Sequence, residues 1–365
     1  MLDEQSQEVH HRKTEGKRAE WYTRCITDKL GLYQTSPEKP TEWSCNQSPE
    51  SRQPNRGPEE VAFLQQCRKT ALVDDVALRK KWWNCLGGEW KEVVKNTLKI
   101  TRDPSESDLL NFFAITSLRC DNRRVHDLLP VRMLDELQQL RCDNLPIEDL
   151  EPLKDLTNLQ RLYAFDCNIS SLEPLRALKR LKLLWISSTP VTSLEPLREL
   201  VSLEELYCSE TEVADLGPLK SLLNLEKLSF YKTAINSLEP ISGLENLIEL
   251  GINNTSVNDL APLEPLDNLE YLRCSKTDIE SLEPLGNMKM LRELHIAKTL
   301  VTDLEPLGDL QGIEELDISF TPVRSIEPLM HLDLEKLELS AESIPETEIN
   351  RFIELHPNTE VIVKN

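Results

Sequence analysis

The sequence predicts an α/β solenoid, in which stacked coils each add one short strand to a parallel sheet. The chain contains a repeat of constant length, and apolar residues occupy the same positions in each repeat. A fixed period of 20 to 29 residues is typical of units that stack and bury a shared core. We expect about ten to eleven coils with the sheet on the concave face, a helical N-terminal cap and a small C-terminal cap. The period itself is set by ten prolines spaced 22 residues apart: Pro130, Pro152, Pro174, Pro196, Pro218, Pro240, Pro262, Pro284, Pro306 and Pro328.

Each repeat contains a short segment with alternating apolar residues. In one unit Leu159 is followed three residues later by Leu162 and two residues further by Ala164, and the same spacing holds from Ile115 to Ile318. Such alternation predicts a strand with one buried face. Four further apolar rows follow in each unit, around the proline. All seven rows must point inward, which requires a closed coil of about 22 residues.

Polar rows predict how each coil turns. An Asp or Ser stands three residues before each proline, where its oxygen can accept a hydrogen bond from the backbone N–H two residues on. Proline suits the first position of a short helical turn, because it lacks a donor that the start of a helix would leave unpaired. A further row, which we expect to bond the backbone of neighbouring coils, contains Cys167, Thr189, Thr211, Thr233, Thr255, Thr277, Thr299 and Thr321.

The repeated pattern L-x-x-L-x-hydrophobic-x-x-T-x-V/I-x-D/S-L-E-P-L-x-x-L resembles the 22-residue leucine-rich repeat of bacterial internalins and protein-phosphatase regulatory subunits. It covers residues 115–344, about two-thirds of the chain. The resemblance implies a leucine-rich-repeat solenoid that presents a binding surface. It names no partner, since this repeat serves many unrelated ones.

The residues on either side of the repeats predict two caps. In residues 60–114, Ser105-Glu106-Ser107-Asp108 precedes an apolar run and marks the start of a capped helix. In residues 345–365, Ile349, Phe352 and Ile353 predict a helix that ends before His356, followed by a terminal strand at 361–363. Residues 1–59 are rich in proline and polar residues, and we expect a largely disordered arm there.

Charge and cysteine usage limit the function classes. The chain has a net charge of −21, and residues 61–102 carry nine basic and four acidic side chains, so the acidity lies in the repeats. An acidic solenoid repels phosphate backbones, which argues against a nucleic-acid partner. Four of the nine cysteines fall in one inward strand row, and an odd total of cysteines predicts free thiols in a reducing compartment.

The sequence shows no cofactor or metal motif and no catalytic constellation. The six histidines are scattered, and none lies beside a nucleophile placed by the repeat. No stretch approaches the length of a membrane span, and the first residues contain no basic segment followed by an apolar run. We therefore expect no cofactor, no metal and no membrane contact in a cytoplasmic protein that is not an enzyme, with leaderless secretion as the alternative compartment.

Outward strand positions bring aromatic residues together on the predicted concave face. The chain has only six Trp, six Tyr and seven Phe, so a cluster of them on one face is informative. Exposed aromatic side chains bordered by arginine are typical of protein-binding hot spots. The alternative is that these rings only stabilise packing between strands. The candidate binding residues are Arg141, Arg161, Tyr163, Phe165, Trp185, Tyr207, Tyr231 and Tyr271.

The sequence thus predicts a monomeric, non-catalytic scaffold that binds a protein partner on its concave face. The alternative function is that of a regulatory subunit, or a secreted effector, that modulates a partner enzyme. The two differ in whether binding changes the activity of the partner.

Overall fold

The structure is a computed structural model that describes residues 57–67, 69–121 and 123–364. The predicted arm of residues 1–59 therefore lies outside the described residues, apart from its last three. The first described helix begins at Pro58, two residues before the predicted start of the N-terminal cap. Proline has no backbone N–H. It suits the first position of a helix, because an N–H there would have no partner within the helix.

Within the described residues, five helices precede the repeats. The last of these helices (Glu106–Phe113) begins as predicted, since the Ser105 hydroxyl accepts from the Asp108 N–H while the Asp108 carboxylate accepts from the Ser105 N–H. In the helix before it (Gly88–Leu98), the buried face consists of Trp90, Val93 and Val94. The helices are α1 (Pro58–Gln66), α2 (Lys69–Asp74), α3 (Val76–Cys85), α4 (Gly88–Leu98) and α5 (Glu106–Phe113).

The helical region covers the start of the repeat core. Trp82 packs edge-on against Phe113, with ring centroids 4.9 Å apart, and both rings are buried. The indole N–H of Trp90 donates to the Asp127 carbonyl oxygen at 3.0 Å, which joins α4 to the first coil. Burying the apolar end of a solenoid in this way is what a stacked-repeat protein requires.

Twelve parallel strands form one sheet in sequence order. From β1 to β10, each residue pairs with the residue 22 positions further on, as in Leu140 with Leu162. The strands are β1 (Ser117–Arg119), β2 (Gln139–Arg141), β3 (Arg161–Tyr163), β4 (Leu183–Trp185), β5 (Glu205–Tyr207), β6 (Lys227–Ser229), β7 (Glu249–Gly251), β8 (Tyr271–Arg273), β9 (Glu293–His295), β10 (Glu315–Asp317), β11 (Lys336–Ser340) and β12 (Glu360–Lys364).

The core follows the apolar rows of the repeat. The central leucine of every strand from β1 to β10 is buried, and the rows around the prolines are buried with it in one continuous cluster. Each fully buried leucine contributes about 1.5–3 kcal/mol relative to an exposed one. The seven cysteines of the described residues are buried and form no disulfide, as the inward strand row predicted for Cys120, Cys142, Cys208 and Cys274.

Short 3₁₀ turns return the chain from one strand to the next. In all ten, the proline is the second residue, so the turn begins one residue earlier than the sequence predicts. The predicted Asp or Ser acceptors are confirmed in every coil, with Asp149 accepting from the Glu151 N–H at 2.7 Å and Ser171 from the Glu173 N–H at 3.3 Å. These acceptors are Asp127, Asp149, Ser171, Ser193, Asp215, Ser237, Asp259, Ser281, Asp303 and Ser325.

The threonine row differs from the prediction. Each threonine hydroxyl donates to a carbonyl three residues earlier in its own coil, as Thr189 does to Ile186 at 2.6 Å, and in the described part of the chain it makes no bond to a neighbouring coil. The reason is local, because the tight turn folds that carbonyl back over the threonine. Only Cys167 follows the expected pattern: its thiol donates to the Cys142 carbonyl of the preceding coil at 3.3 Å.

The C-terminal end closes with one helix and one strand, as predicted. Helix α6 (Glu346–Leu355) connects β11 to β12 and buries Ile349 and Phe352. The last repeat is one residue shorter, since Glu315 pairs with Lys336. Among the residues that the structure describes, no helix is long and apolar enough to cross a membrane.

Candidate protein-binding surface

The first and third residues of each three-residue strand turn away from the core and line the concave face. The register places Tyr163 beside Trp185 and Trp185 beside Tyr207, as the 22-residue repeat predicts. Arg141 precedes this row on β2, and Ser229 follows it on β6. Neighbouring strands in a sheet lie about 4.8 Å apart, so the three rings are next to one another.

Four aromatic side chains form what we call the aromatic surface: Tyr163, Phe165, Trp185 and Tyr207. Trp185 lies at its centre, with ring centroids 4.8 Å from Phe165, 5.1 Å from Tyr207 and 6.4 Å from Tyr163. The planes are tilted by 36–49°, and tilted rings at these distances attract one another. The aromatic surface is therefore a cluster of rings that are packed against one another.

The rings are less exposed than their outward positions predict. Trp185 and Phe165 are half-buried, and Tyr163 and Tyr207 are only 8% and 7% exposed. The reason is that Tyr163 and Tyr207 lie on either side of Trp185 and are covered by it and by their other neighbours. Trp185 and Phe165 are therefore the more exposed members of the aromatic surface.

Two of the predicted arginines border the aromatic surface in different ways. Arg141 stacks over the ring of Tyr163 at 5.5 Å and donates to Asp143 at 2.8 Å. Burial raises the pKa of Asp143, although the charge of Arg141 opposes the shift. Arg161 is exposed, and it makes no ion pair or hydrogen bond through its side chain within the described residues. Arg161 is thus available to an acidic group of a partner.

On the other side, hydrogen bonds hold Tyr207, the last ring of the aromatic surface, and its neighbour Tyr231. The Tyr207 hydroxyl donates to Glu205 at 2.9 Å, which fixes the ring. Tyr231 lies one strand further on, with its backbone N–H donating to the Ser209 hydroxyl. Burial, followed by the nearby charge of Glu210, raises the pKa of Tyr231, so its hydroxyl stays neutral at physiological pH.

Tyr271 does not join the aromatic surface. It is the first residue of β8, three strands beyond Tyr207, and pairs with Glu249. The row that contains the aromatic rings continues instead through Ser229 and Gly251, two small residues. A Cβ at Gly251 would lie 3.0 Å from the Ser229 hydroxyl oxygen, so the backbone there packs closely.

A charged network, which we did not predict, covers the concave face beyond the small residues. Arg273 is nearly buried and donates to Glu249 at 2.7 Å and to both carboxylate oxygens of Glu293 at 2.8 and 3.0 Å. Glu293 also lies 3.2 Å from His295. The repeat spacing places these residues on adjacent strands, and their alternating charges were the sequence signal that could have revealed the network.

The pKa values in this network follow from burial and from the central arginine. Burial lowers the pKa of His295, because the imidazolium loses its hydration. Burial alone would raise the pKa of Glu293, but Arg273 and then His295 hold it below its usual range. The ligand atoms of Glu293, His295 and Glu315 lie within 4.8 Å of one another. Since Arg273 occupies both oxygens of Glu293, this group is an ion-pair network, and a metal ion would have to displace the guanidinium.

Comparisons with known sequences and solved structures agree with the repeated unit of one strand and one 3₁₀ turn. A sequence family described as "Leucine Rich repeats (2 copies)" matches residues 157–199. An internalin, InlF from Listeria monocytogenes, superposes with a TM-score of 0.66 over 76% of this chain and 90% of its own, at 22% identity. The fold is a leucine-rich-repeat solenoid of the internalin type. This confirms the fold that the repeat predicted.

Two further Listeria monocytogenes proteins share the leucine-rich-repeat fold. Internalin C2 is 27% identical over 56% of this chain and 90% of its own, with a TM-score of 0.53. The functional domain of InlJ is 19% identical over 74% of this chain and 58% of its own, with a TM-score of 0.62. No curated protein sequence matches the chain significantly. At these identities the likeness establishes the leucine-rich-repeat fold.

Proposed function

We propose that the protein is a non-catalytic scaffold that binds a protein partner through the aromatic surface of its leucine-rich-repeat sheet. One observation carries the proposal: the half-buried Trp185 lies at the centre of a packed ring cluster, and the exposed Arg161 lies on the adjacent strand. Tryptophan and arginine are the residues most enriched in interface hot spots, which sit in well-packed surroundings. Leucine-rich-repeat proteins generally act by binding other proteins, which supports the same conclusion.

Packing between strands explains why two of the aromatic residues are present, but it does not explain Trp185 or Arg161. The buried Tyr163 and Tyr207 stabilise the sheet as cross-strand neighbours. Trp185 gains less from burial, because its large ring is only half-buried. Within the part of the chain that the structure describes, Arg161 makes no ion pair that would stabilise the fold. A partner that covers Trp185 and pairs with Arg161 gives both residues a role.

The experiment that tests the proposal is affinity capture from native lysate with matched variants. We expect Trp185→Ala and Arg161→Glu each to lose a partner that the wild-type protein retains, because they change the exposed parts of the surface. Tyr163 and Tyr207 are left intact, since their burial means that truncation would disturb the sheet. Leu223→Ala is the control, because Leu223 is an exposed apolar residue (55%) in a turn outside the sheet.

The outcome is decided by comparing the three variants after circular dichroism has shown equal folding. Retention of every partner by Trp185→Ala and Arg161→Glu would exclude the aromatic surface as the binding site. Loss of a partner by Leu223→Ala as well would show that capture does not depend on this surface.

We also infer a reducing compartment, such as the cytoplasm. The seven described cysteines are free, and burial raises the pKa of Cys208 to about 12, so its thiol is unreactive. Mass spectrometry of the protein from its native source, alkylated without reduction, would contradict this inference if it found disulfides.

A further inference from the structure

The two ends of the sheet are finished differently. At the N-terminal end, α4 lies against β1 and its tryptophan is bonded to the first coil. At the C-terminal end, β12 pairs with β11 on one side, and its other edge is bare within the described residues. β12 is five residues long, whereas β1 to β10 have three. A long bare edge rich in β-branched residues is a template for pairing with another strand.

The free backbone groups of β12 can be identified from its hydrogen bonds to β11. Glu360 N–H donates to the Glu335 carbonyl, and the Lys364 carbonyl accepts from Ala341 N–H. In a parallel ladder, alternate residues of one strand bond the same neighbour, so Glu360, Ile362 and Lys364 face β11. The N–H and C=O groups of Val361 and Val363 therefore point outward. An antiparallel strand would bond these two residues.

The charged residues of β12 favour the same antiparallel pairing as its free backbone groups. If two copies of the strand run antiparallel about Ile362, Val361 of one copy faces Val363 of the other, and all four outward residues are hydrogen-bonded. Glu360 then lies directly opposite Lys364 of the other copy, twice. Lys364 already pairs with Glu338 and Asp317 of its own chain, so Glu360 adds a further carboxylate to that group. Opposite charges that face each other across strands are stabilising, and like charges are destabilising. The backbone register and the charge register thus coincide, which points to self-pairing.

Exposed apolar side chains surround this edge. Val363 is 42% exposed although it continues the inward row of Leu339. On α6, the helix that leads into β12, Ile353 and Leu355 are 42% and 54% exposed. Apolar side chains that remain in water beside a bare strand are typical of a surface that another protein covers.

We propose that β12 is a homodimer interface, in which two copies pair antiparallel about a two-fold axis at Ile362 and join their sheets into one. A two-fold contact brings the same patch of both copies together, as the self-complementary strand requires. The inference is independent of the aromatic surface, which lies on β3 to β5. It differs from the monomer that the sequence led us to expect.

Long-range charge opposes this dimer and gives it a signature. Each copy carries a net charge of −21, so two copies repel each other at low ionic strength. Added salt screens this repulsion and also weakens the two Glu360–Lys364 ion pairs, but exposed pairs contribute little, and the hydrogen bonds and apolar contacts across β12 are little affected. The electrostatic screening length falls several-fold between about 0.05 and 0.5 M salt. We therefore expect the dissociation constant of the dimer to fall over this range.

Sedimentation equilibrium of the full chain tests the proposal. We expect a monomer–dimer equilibrium in the micromolar range for the wild type. Ile362→Lys, which places two ammonium groups opposite each other on the axis, should weaken dimerisation by about tenfold or more. Glu360→Lys should also weaken it, since its ammonium group would face Lys364 of the other copy. Glu264→Lys is the matched control: it makes the same charge change on an exposed residue of a distant coil and should not weaken the dimer.

Disulfide trapping tests the register. Residues opposite each other at a position without hydrogen bonds have Cα atoms about 4.5 Å apart, which a disulfide can bridge. Under mild oxidation, Ile362→Cys should form a covalent dimer linked through residue 362, identified by mass spectrometry. Val363→Cys should not, because Val363 faces Val361 of the other copy.

Three results would overturn the proposal. One is a wild-type chain that stays monomeric up to about 500 μM, a concentration at which even a weak interface is populated. Another is a dimer that Ile362→Lys leaves intact, which would place the contact on a different surface. The third is equal trapping of Ile362→Cys and Val363→Cys. Circular dichroism of each variant, compared with the wild type, shows that the monomers are folded.

Discussion

A left-handed backbone conformation recurs at one residue of nine successive coils. Its φ angle lies between 52° and 58° at Asn144, Asp166, Ser188, Glu210, Lys232, Asn254, Lys276, Lys298 and Phe320, and none of these residues is glycine. Asparagine and aspartate tolerate this conformation best among side-chain-bearing residues, and bulky residues tolerate it poorly. Phe320 is therefore the most strained residue of the row, and its ring is 44% exposed.

We predict that Phe320→Asn raises the free energy of unfolding by about 0.5–1 kcal/mol. Asparagine relieves the backbone strain, which outweighs loss of the contact between the Phe320 ring and the Lys298 ammonium at 4.9 Å. Urea unfolding followed by circular dichroism measures the change. Phe320→Ala is the control, because it removes the ring but keeps a Cβ in the strained position. A gain as large in the alanine variant would mean that strain relief is not the cause.

His295 gives the protein a pH dependence whose direction follows from its burial. Its pKa is lower in the folded chain than the usual value of 6.5, so below that pH the unfolded chain binds more protons. The free energy of unfolding therefore falls as the pH drops below about 6.5. Glu293, whose pKa is also lowered, adds a loss in the same direction at more acidic pH.

We predict that His295→Gln flattens the decline in stability between pH 7 and pH 5.5. A single proton accounts for at most about 1.4 kcal/mol per pH unit, which sets the size of the effect. Urea titrations at four pH values in this range measure it. An unchanged slope in the glutamine variant would show that other groups bind the protons.

At the scale of elements, the turns before the prolines depend on one side-chain acceptor each. We predict that Asp149→Ala lowers the free energy of unfolding by about 1 kcal/mol and Ser171→Ala by about half as much. The carboxylate accepts at 2.7 Å and the hydroxyl at 3.3 Å, so the aspartate makes the stronger bond. Thermal melts of both variants measure the difference. Equal losses would show that the charge and length of the acceptor bond do not matter.

The elements were predictable from sequence where the repeat fixes them. The spacing of Leu140 and Leu162 already gives the strand register, because a closed coil allows no slip. The partner of Thr189 was not predictable, since the choice between its own coil and the next depends on where a carbonyl folds back. The burial of Tyr163 was also not predictable. The repeat pattern shows on which face of the sheet a residue lies, but it does not show how far neighbouring rings cover that residue.

For the whole molecule, identical registers make each coil a unit that contacts only its two neighbours. We predict that deletion of residues 247–268, one complete coil, leaves a folded sheet with one strand fewer. Stability should fall by about 1–3 kcal/mol, the share of 22 average residues. Deletion of residues 247–257, half a coil, should abolish cooperative unfolding, because the remaining half cannot close. Circular dichroism during urea titration measures both, and a cooperative half-coil variant would contradict the prediction.

The one-coil register also has a genetic consequence. Neighbouring repeats share their apolar and proline positions, so a recombination event offset by one repeat adds or removes a whole coil in frame. Each product keeps its hydrogen-bond ladder and its buried rows, because the new neighbours meet as the old ones did. The number of strands in the sheet can therefore change between lineages while both caps are kept. Relatives of this gene should differ in length by multiples of one repeat.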